Sequence, residues 1–210
     1  MDVGRFGLLQ EDLPPAPPTG GIDLRAWFGP EGCSHPLELE IGSGKGTFLV
    51  TQAAQQKLVN YIGIEWSKPF WRFAADRCRR HGLENVRLVR AEAGAFVRQY
   101  VPNACLRQVH IYFPDPWPKT RHNKRRLIQA PFLRDLYRVL ETGGSIRIVT
   151  DHADYFQWTL DHAAQVADLF AAADLDHSAG PGEIVGTNFE RKYQREGRPF
   201  HALVLRKLGP

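Results

Sequence analysis

Pairable cysteine, long apolar runs and metal-ligand spacings are all missing from this chain. Its three cysteines, Cys33, Cys78 and Cys105, are odd in number and none stands at CxxC spacing. Neither a disulfide framework nor a thiolate metal site is expected, and the thiols read as reduced and partly buried. The histidines include no HExxH or other ligand spacing, so no metal is expected. No apolar run approaches the ~20 residues that a membrane-spanning helix needs, and no secretory leader core follows Met1. The expectation is a cytoplasmic protein with no membrane, metal or obligate protein partner.

Acid is missing where the chain is most basic. The net charge is +4, yet residues 1–70 carry five Lys/Arg against eight Asp/Glu, so the rest of the chain must carry +7. Residues 119–126 alone hold five cations and no acid. A concentrated patch of this kind is the electrostatic footprint of a polyanion-binding surface. Taken alone it weighs about evenly against a solvated helix start.

What is present is an ordinary globular composition, 43% hydrophobic and 24% charged. A chain of 210 residues buries roughly 70% of its unfolded surface, enough for one core without staples. Residues 1–35 read as a flexible tail, because Pro14, Pro15, Pro17, Pro18, Gly20 and Gly21 break any periodicity, while Trp27 and Phe28 anchor its end. The first ~20 residues are expected to be poorly ordered. Residues 36–210 read as a single domain. Strand candidates occupy residues 36–42, 60–65, 86–91, 108–113, 145–150 and 200–206, with a further one near 183–185. Helix candidates occupy 47–57, 67–81, 94–100, 124–140 and 153–173. Ser67 is the expected N-cap of the second helix. Strands alternating with helices predict a mostly parallel sheet with helices on both faces. Such sheets bind ligands outside the carboxyl ends of their strands, where every unusual segment of this chain falls.

Gly42-Ser-Gly44-Lys-Gly46 follows the first strand and opens a helix. It is neither the dinucleotide fingerprint GxGxxG nor a P-loop. Glu40, two residues before Gly42, would repel a pyrophosphate but suits a cationic ligand. Glu65 ends the second strand, where a carboxylate can accept both ribose hydroxyls. Glu92 ends the third, within reach of an adenine edge. A nucleoside with a positive group and no phosphate is S-adenosylmethionine. Residues 111–126 then form a proline-stiffened loop around Asp115 that ends in cations. Its prolines at 114, 116 and 118 bias Phe113, Asp115 and Trp117 towards extended backbone. Asp151 follows the fifth strand and is the expected N-cap of the next helix.

Phe113-Pro-Asp-Pro-Trp-Pro-Lys119 running on through Arg121-His-Asn-Lys-Arg-Arg126, Leu39-Glu-Ile-Gly-Ser-Gly-Lys-Gly46, Tyr61-Ile-Gly-Ile-Glu65, Thr150-Asp151 and Thr187-Asn-Phe-Glu190 together resemble the bacterial tRNA (guanine-N7-)-methyltransferases. The resemblance runs from about residue 36 to the C-terminus. It implies a class I methyltransferase fold, Rossmann-like, with a seven-stranded, mostly parallel sheet. It implies methylation of guanine N7 in the tRNA variable loop, at nucleotide 46 of the tRNA. By the same resemblance Glu40, Gly42, Gly44, Gly46, Glu65, Glu92 and Asp115 hold S-adenosylmethionine, with Asp115 also catalytic. Lys119, Asp151, Thr187, Asn188, Phe189 and Glu190 meet the target nucleotide, and Arg121, His122, Asn123, Lys124, Arg125 and Arg126 meet the RNA. Glu92 stands where the family is expected to have aspartate. Guanine N7 carries a free lone pair, so Asp115 is expected to hold the N1–H and N2–H₂ edge rather than to act as a strong base. Trp117 either stacks on a flipped base or packs beneath the loop. A small-molecule or protein methyltransferase would share the glycine loop and Glu65 without needing the basic run. A non-catalytic RNA-binding module would keep that run without binding the cofactor.

Overall fold

The structure, a computed structural model, describes residues 1–173, 187–197 and 199–209. Its strands are β1 (Gly7–Leu9), β2 (Leu37–Ile41), β3 (Asn60–Ile64), β4 (Val86–Arg90), β5 (Leu106–Tyr112), β6 (Leu140–Thr150), β7 (Phe170–Ala173) and β8 (His201–Lys207). Its helices are α1 (Gly29–Gly32), α2 (Thr47–Gln55), α3 (Lys68–Arg80), α4 (Ala93–Tyr100), α5 (Ala130–Val139), α6 (Ala153–Ala164) and α7 (Asn188–Arg195). One sheet of eight strands runs in the order β1-β4-β3-β2-β5-β6-β8-β7. It is parallel from β1 to β6, and β8 is antiparallel to both of its neighbours.

The central strands β2 and β3 are buried along their whole length, as a sheet covered on both faces requires, although β2 carries Glu38 and Glu40 among its Leu and Ile residues. On one face Phe48, Leu49 and Ala53 of α2 and Trp71, Ala74 and Cys78 of α3 pack on Tyr61, Leu88 and Tyr112. On the other, Phe96 of α4, Leu133 and Leu136 of α5 and Tyr155 of α6 pack on Leu39, Ile62, Val109 and Ile146. Among the described residues no helix is long and apolar enough to cross a membrane.

The sheet has one strand more than the seven expected, and the extra strand comes from the segment read as a tail. Leu8 lies opposite Val89 at the β4 edge, and Phe6 just before it is 5% exposed. Arg87 explains the docking. Its guanidinium lies 5.7 Å from the Phe6 ring and 5.0 Å from the Phe28 ring, and it donates to the Trp27 carbonyl at 2.6 Å. Leu24 is buried, and Ile22 donates to the Tyr100 carbonyl at 2.9 Å. The proline-rich residues 14–18 form no helix or strand.

Three further departures have local causes. The helix expected over 124–140 is α5 alone, preceded by a 3-10 turn at Thr120–Arg125. Pro131 allows a helix to begin there but not to run through it. The helix expected over 153–173 stops at Ala164, and Phe170–Ala173 pairs with β8 despite its helix-forming alanines. Tertiary pairing overrides propensity here. β6 starts five residues early and passes through Gly144, where a Cβ would meet the Arg107 carbonyl at 2.9 Å. The strand expected near 183–185 lies outside the described residues.

Candidate functional site

The carboxyl ends of β2, β3, β4 and β5 open into a cavity of about 430 Å³. Gly42, Gly44, Glu65, Glu92 and Asp115 line it, as do Trp66, Phe70, Tyr112, Trp117 and Arg125. The glycine loop is tied to β3 by the amides of Gly42 and Ser43, which both donate to the Ile64 carbonyl. Gly42 (φ 77°) and Gly44 (φ 52°) adopt left-handed backbone, and a Cβ on Gly42 would meet nothing within 4 Å. The loop therefore leaves open space beside its backbone, as close approach by a ligand requires. Gly46 has a different task and does not line the cavity. A Cβ there would come within 2.9 Å of Ala74 Cβ, so this glycine lets α2 start tight against α3.

The four acids play unlike parts. Glu65 Oε2 accepts from the Gly44 amide and Oε1 from the Ser67 amide, both at 2.8 Å. Its carboxylate is held rigid while each oxygen keeps a lone pair for a ligand. Ser67 sits at the N-cap of α3 as expected, but its side chain makes no cap bond, and its own amide donates to Glu65. Glu92 caps α4, accepting from Gly94 at 2.9 Å and Ala95 at 2.6 Å. Asp115 is exposed on the cavity wall. Glu40 lies beneath the cavity, 4% exposed, and its Oε2 has no partner. Burial, aided by the nearby charge of Glu65, pushes its carboxyl up to about 8.

A buried chain of groups supports the cavity floor. Burial holds the His110 ring below its usual range, so it is neutral, although Glu38 opposes the shift. Its Nε2 contacts Glu38 Oε2 at 2.9 Å and its Nδ1 contacts the Tyr112 hydroxyl at 2.8 Å. With Nε2–H donating to the carboxylate, Nδ1 accepts from Tyr112. Burial would raise the Glu38 carboxyl, but the hydrogen bond from His110 and the Arg107 charge outweigh it and leave the group below its usual range.

The proline loop departs from its expected geometry. Phe113 (φ 51°) and Trp117 (φ 43°), both followed by proline, occupy left-handed backbone, which costs on the order of 1 kcal/mol or more per residue. The surroundings hold them there. Phe113 donates to the Val149 carbonyl at 2.7 Å and sets its ring edge-on to Phe200. Trp117 is half-buried, with the Arg125 guanidinium 5.0 Å over its ring and His122 edge-on at 5.9 Å. One indole face is thus occupied by Arg125, and the ring both packs the loop and lines the cavity.

Arg126, expected on the RNA, points inward and is 1% exposed. Its Nε donates to the Pro116 carbonyl at 2.9 Å, and its terminal nitrogen pairs with Asp154. Its guanidinium also lies 5.2 Å from the Tyr155 ring and 5.3 Å from the Trp158 ring. A planar cation between rings and a carbonyl is a structural pin. It fastens the proline loop to α6. Lys119, Arg121, Lys124 and Arg125 remain exposed, while His122 and Asn123 are half-buried.

Asp151 is half-buried at the end of β6, next to β5 in the sheet, but it does not cap α6. His152 takes that position and accepts from the Tyr155 amide through Nδ1 at 3.3 Å. Thr187 caps α7, accepting from the Glu190 amide at 3.0 Å. Glu190 is fully buried and accepts from Gln194 at 3.3 Å, so it supports the helix. The side chains of Asn188 and Phe189 lie outside the described residues. Neither Lys119 nor Asp151 nor Thr187 lines the cavity. Sequence reasoning missed Tyr112, Trp66 and Phe70, which line it; the aromatic run around Trp66 at a strand's carboxyl end was the available signal. Among the described residues no group of acids, histidines and cysteines could hold a metal ion.

The donor set fits S-adenosylmethionine. Carboxylates and aromatic rings surround a cavity with open glycine backbone, and a buried acid beneath it has an unpartnered oxygen. A cationic nucleoside suits these groups, and a pyrophosphate does not.

Comparison with known proteins agrees. A family model described as "Putative methyltransferase" matches residues 34–203. A tRNA (guanine-N(7)-)-methyltransferase of Halorhodospira halophila is 38% identical over 90% of this chain and 81% of its own length. Those of Caulobacter vibrioides (39% identical, 88% and 79% covered) and Streptococcus thermophilus (33%, 83% and 82%) are similar. Among solved structures, the 16S rRNA methyltransferase KamB superposes with a TM-score of 0.61 at 17% identity, covering 91% of this chain and 99% of that one. The tRNA (m1A58) methyltransferase TrmI of Aquifex aeolicus gives 0.52 at 15%, covering 83% and 63%. These last two show the fold, and the fold, the site and the sequence relatives together place this chain in the tRNA (guanine-N(7)-)-methyltransferase family.

Proposed function

We propose that this chain transfers the methyl group of S-adenosylmethionine to N7 of a guanine in tRNA, the variable-loop guanine at nucleotide 46. The observation that carries this is the placement of Asp115. A strained, pinned loop holds it on the wall of the cavity that the glycine loop opens, with exposed cations directly after it in the chain. The bound cofactor supplies an electrophilic methyl on a sulfonium. Guanine N7 needs no deprotonation, so the protein's contribution is alignment, which can be worth ~7–11 kcal/mol. Asp115 accepts from the guanine N1–H and N2–H₂ edge and balances charge developing on the base. Such a bidentate contact discriminates by ~1–3 kcal/mol, and adenine offers it the wrong donors.

The remaining assignments extend this reading. Glu65 holds the ribose, Glu92 faces the adenine edge, and Glu40 balances the positive end of the cofactor. Lys119 and Asp151 approach the target nucleotide from outside the cavity, and Thr187, buried as the cap of α7, holds that helix. Arg121, Lys124 and Arg125 hold phosphates. A tRNA substrate and unpaired cysteines fit a cytoplasmic protein. Incubation with unmodified tRNA and labelled cofactor, followed by cleavage at base-labile N7-methylguanine, tests the reading. Label at one variable-loop guanine is expected; label elsewhere, or none, would sink it.

A further inference from the structure

We propose that the exposed face of α3 is a second RNA-contact surface, on the far side of the cofactor cavity from the cations at residues 119–125. This rests on tRNA being the substrate. α3 carries Lys68, Arg72, Arg77, Arg79 and Arg80 against one acid, Asp76. That acid is 9% exposed and already taken, accepting from Arg79 at 3.0 Å and Arg80 at 3.2 Å. The charge that the helix itself shows to solvent is therefore positive, with Lys68, Arg72 and Arg80 exposed and Lys45 exposed on the neighbouring loop, while Arg79 is shared with Asp2 of the N-terminal segment at 3.5 Å. Arg77 joins loop and helix by donating to Thr47 Oγ1 at 3.0 Å.

Aromatic rings are interleaved with these charges. Phe70 is 45% exposed and Phe73 36% exposed, one helical turn apart on the same side. Trp66, just before the helix, is 67% exposed. Exposed aromatics interleaved with cations are what single-stranded nucleic acid uses: phosphates on the cations and bases on the rings. A protein-binding patch would instead be depleted of lysine.

Position supports the same occupant. α3 follows β3, the cations of residues 119–125 follow β5, and β2 lies between those strands. Trp66 and Phe70 are at once cavity lining and the near edge of the α3 face. An RNA strand that presents a guanine to Asp115 would leave the cavity across either rim, over residues 119–125 on one side and α3 on the other.

The test uses the full chain carrying Lys68→Glu with Phe73→Ala, two residues that do not line the cavity. Filter binding to unmodified tRNA across a salt series is expected to show affinity about tenfold weaker. Its log–log salt slope should be shallower by about 0.7 for each single-strand phosphate that the variant no longer neutralises. Affinity for S-adenosylmethionine, and turnover at saturating tRNA, should match the unaltered chain. Unchanged tRNA affinity and slope would overturn the proposal. So would a self-association, seen by light scattering, that Phe73→Ala abolishes without touching tRNA affinity, since α3 would then seat a second copy. Lys124→Glu on the other rim separates the two readings: if it weakens tRNA and the α3 variant does not, only the α3 surface fails. A chain that binds no tRNA in any form overturns both.

Discussion

Glu40 is the side chain whose state depends most on what occupies the site. Its carboxyl is pushed up to about 8 from an ordinary value of 4.5, first by burial and then by Glu65. Between those values the folded chain holds a proton that the unfolded chain has released. Stability from this group is therefore fully present below pH 4.5 and is lost as pH rises towards 8. Thermal melting of Glu40→Gln should lack that decline. If Glu40 balances the cofactor's positive end, binding at neutral pH expels its proton. Calorimetry in two buffers of different ionisation enthalpy should then report close to one proton released, and none for Glu40→Gln. At Asp115 the expectation is sharper, because the acceptor is needed only once the guanine is present. Asp115→Asn should abolish labelled methyl transfer while weakening cofactor binding only slightly; near-normal turnover would remove Asp115 from its role.

The proline loop shows what a single element adds. The sequence shows its rigidity through Pro114, Pro116 and Pro118, but not its conformation. Proline biases the preceding residue towards extended backbone, yet Phe113 and Trp117 go left-handed. Packing against Val149 and Phe200, and under Arg125, decides the matter, and no local pattern encodes those partners. Arg126 was hidden for the same reason: among five cations it looked like its neighbours, and only the distant Asp154, Tyr155 and Trp158 mark it as the pin. Arg126→Lys should fail to replace it, since an ammonium lacks the planar fork. A loop displaced by about 1 Å costs ~10²-fold in rate. Kinetics should show kcat reduced by about that factor with cofactor affinity little changed. β1 makes a comparable point about stability. Phe6→Ala should cost about 3 kcal/mol, a melting point lower by roughly 6–12 °C for a chain of this size.

For the molecule as a whole, the strands that build the site were the legible part. Residues 36–42, 60–65, 86–91 and 108–113 stand out as short segments rich in Leu, Ile, Val and aromatic residues that alternate with helical stretches, and the glycine loop and acids sit at their ends. The β1 edge was illegible because three residues inside a proline-rich segment carry no period, and their pairing depends on Arg87 and Phe28 far along the chain. β7 was masked by alanines that favour a helix in isolation. Charge distribution, by contrast, was readable as a total but not as a surface. With Arg126 inside, three phosphate contacts from Arg121, Lys124 and Arg125 predict a log–log salt slope of about −2. A measured slope near −4 would require further cations, such as those exposed on α3.

The pairing of Leu8 with Val89 also has a consequence for how the chain is made. Synthesis proceeds at ≈ 5–20 residues per second, so roughly 80 residues take about 4–16 s to appear. Throughout that interval Phe6, Leu8 and Leu9 have been made while the strand that shelters them does not yet exist. The sheet edge closes only after β2, β3 and β4 have been laid down, so its first strand in sequence is among its last in time. A nascent chain arrested before residue 86 should expose this apolar segment to a holdase, and one arrested well past residue 90 should not.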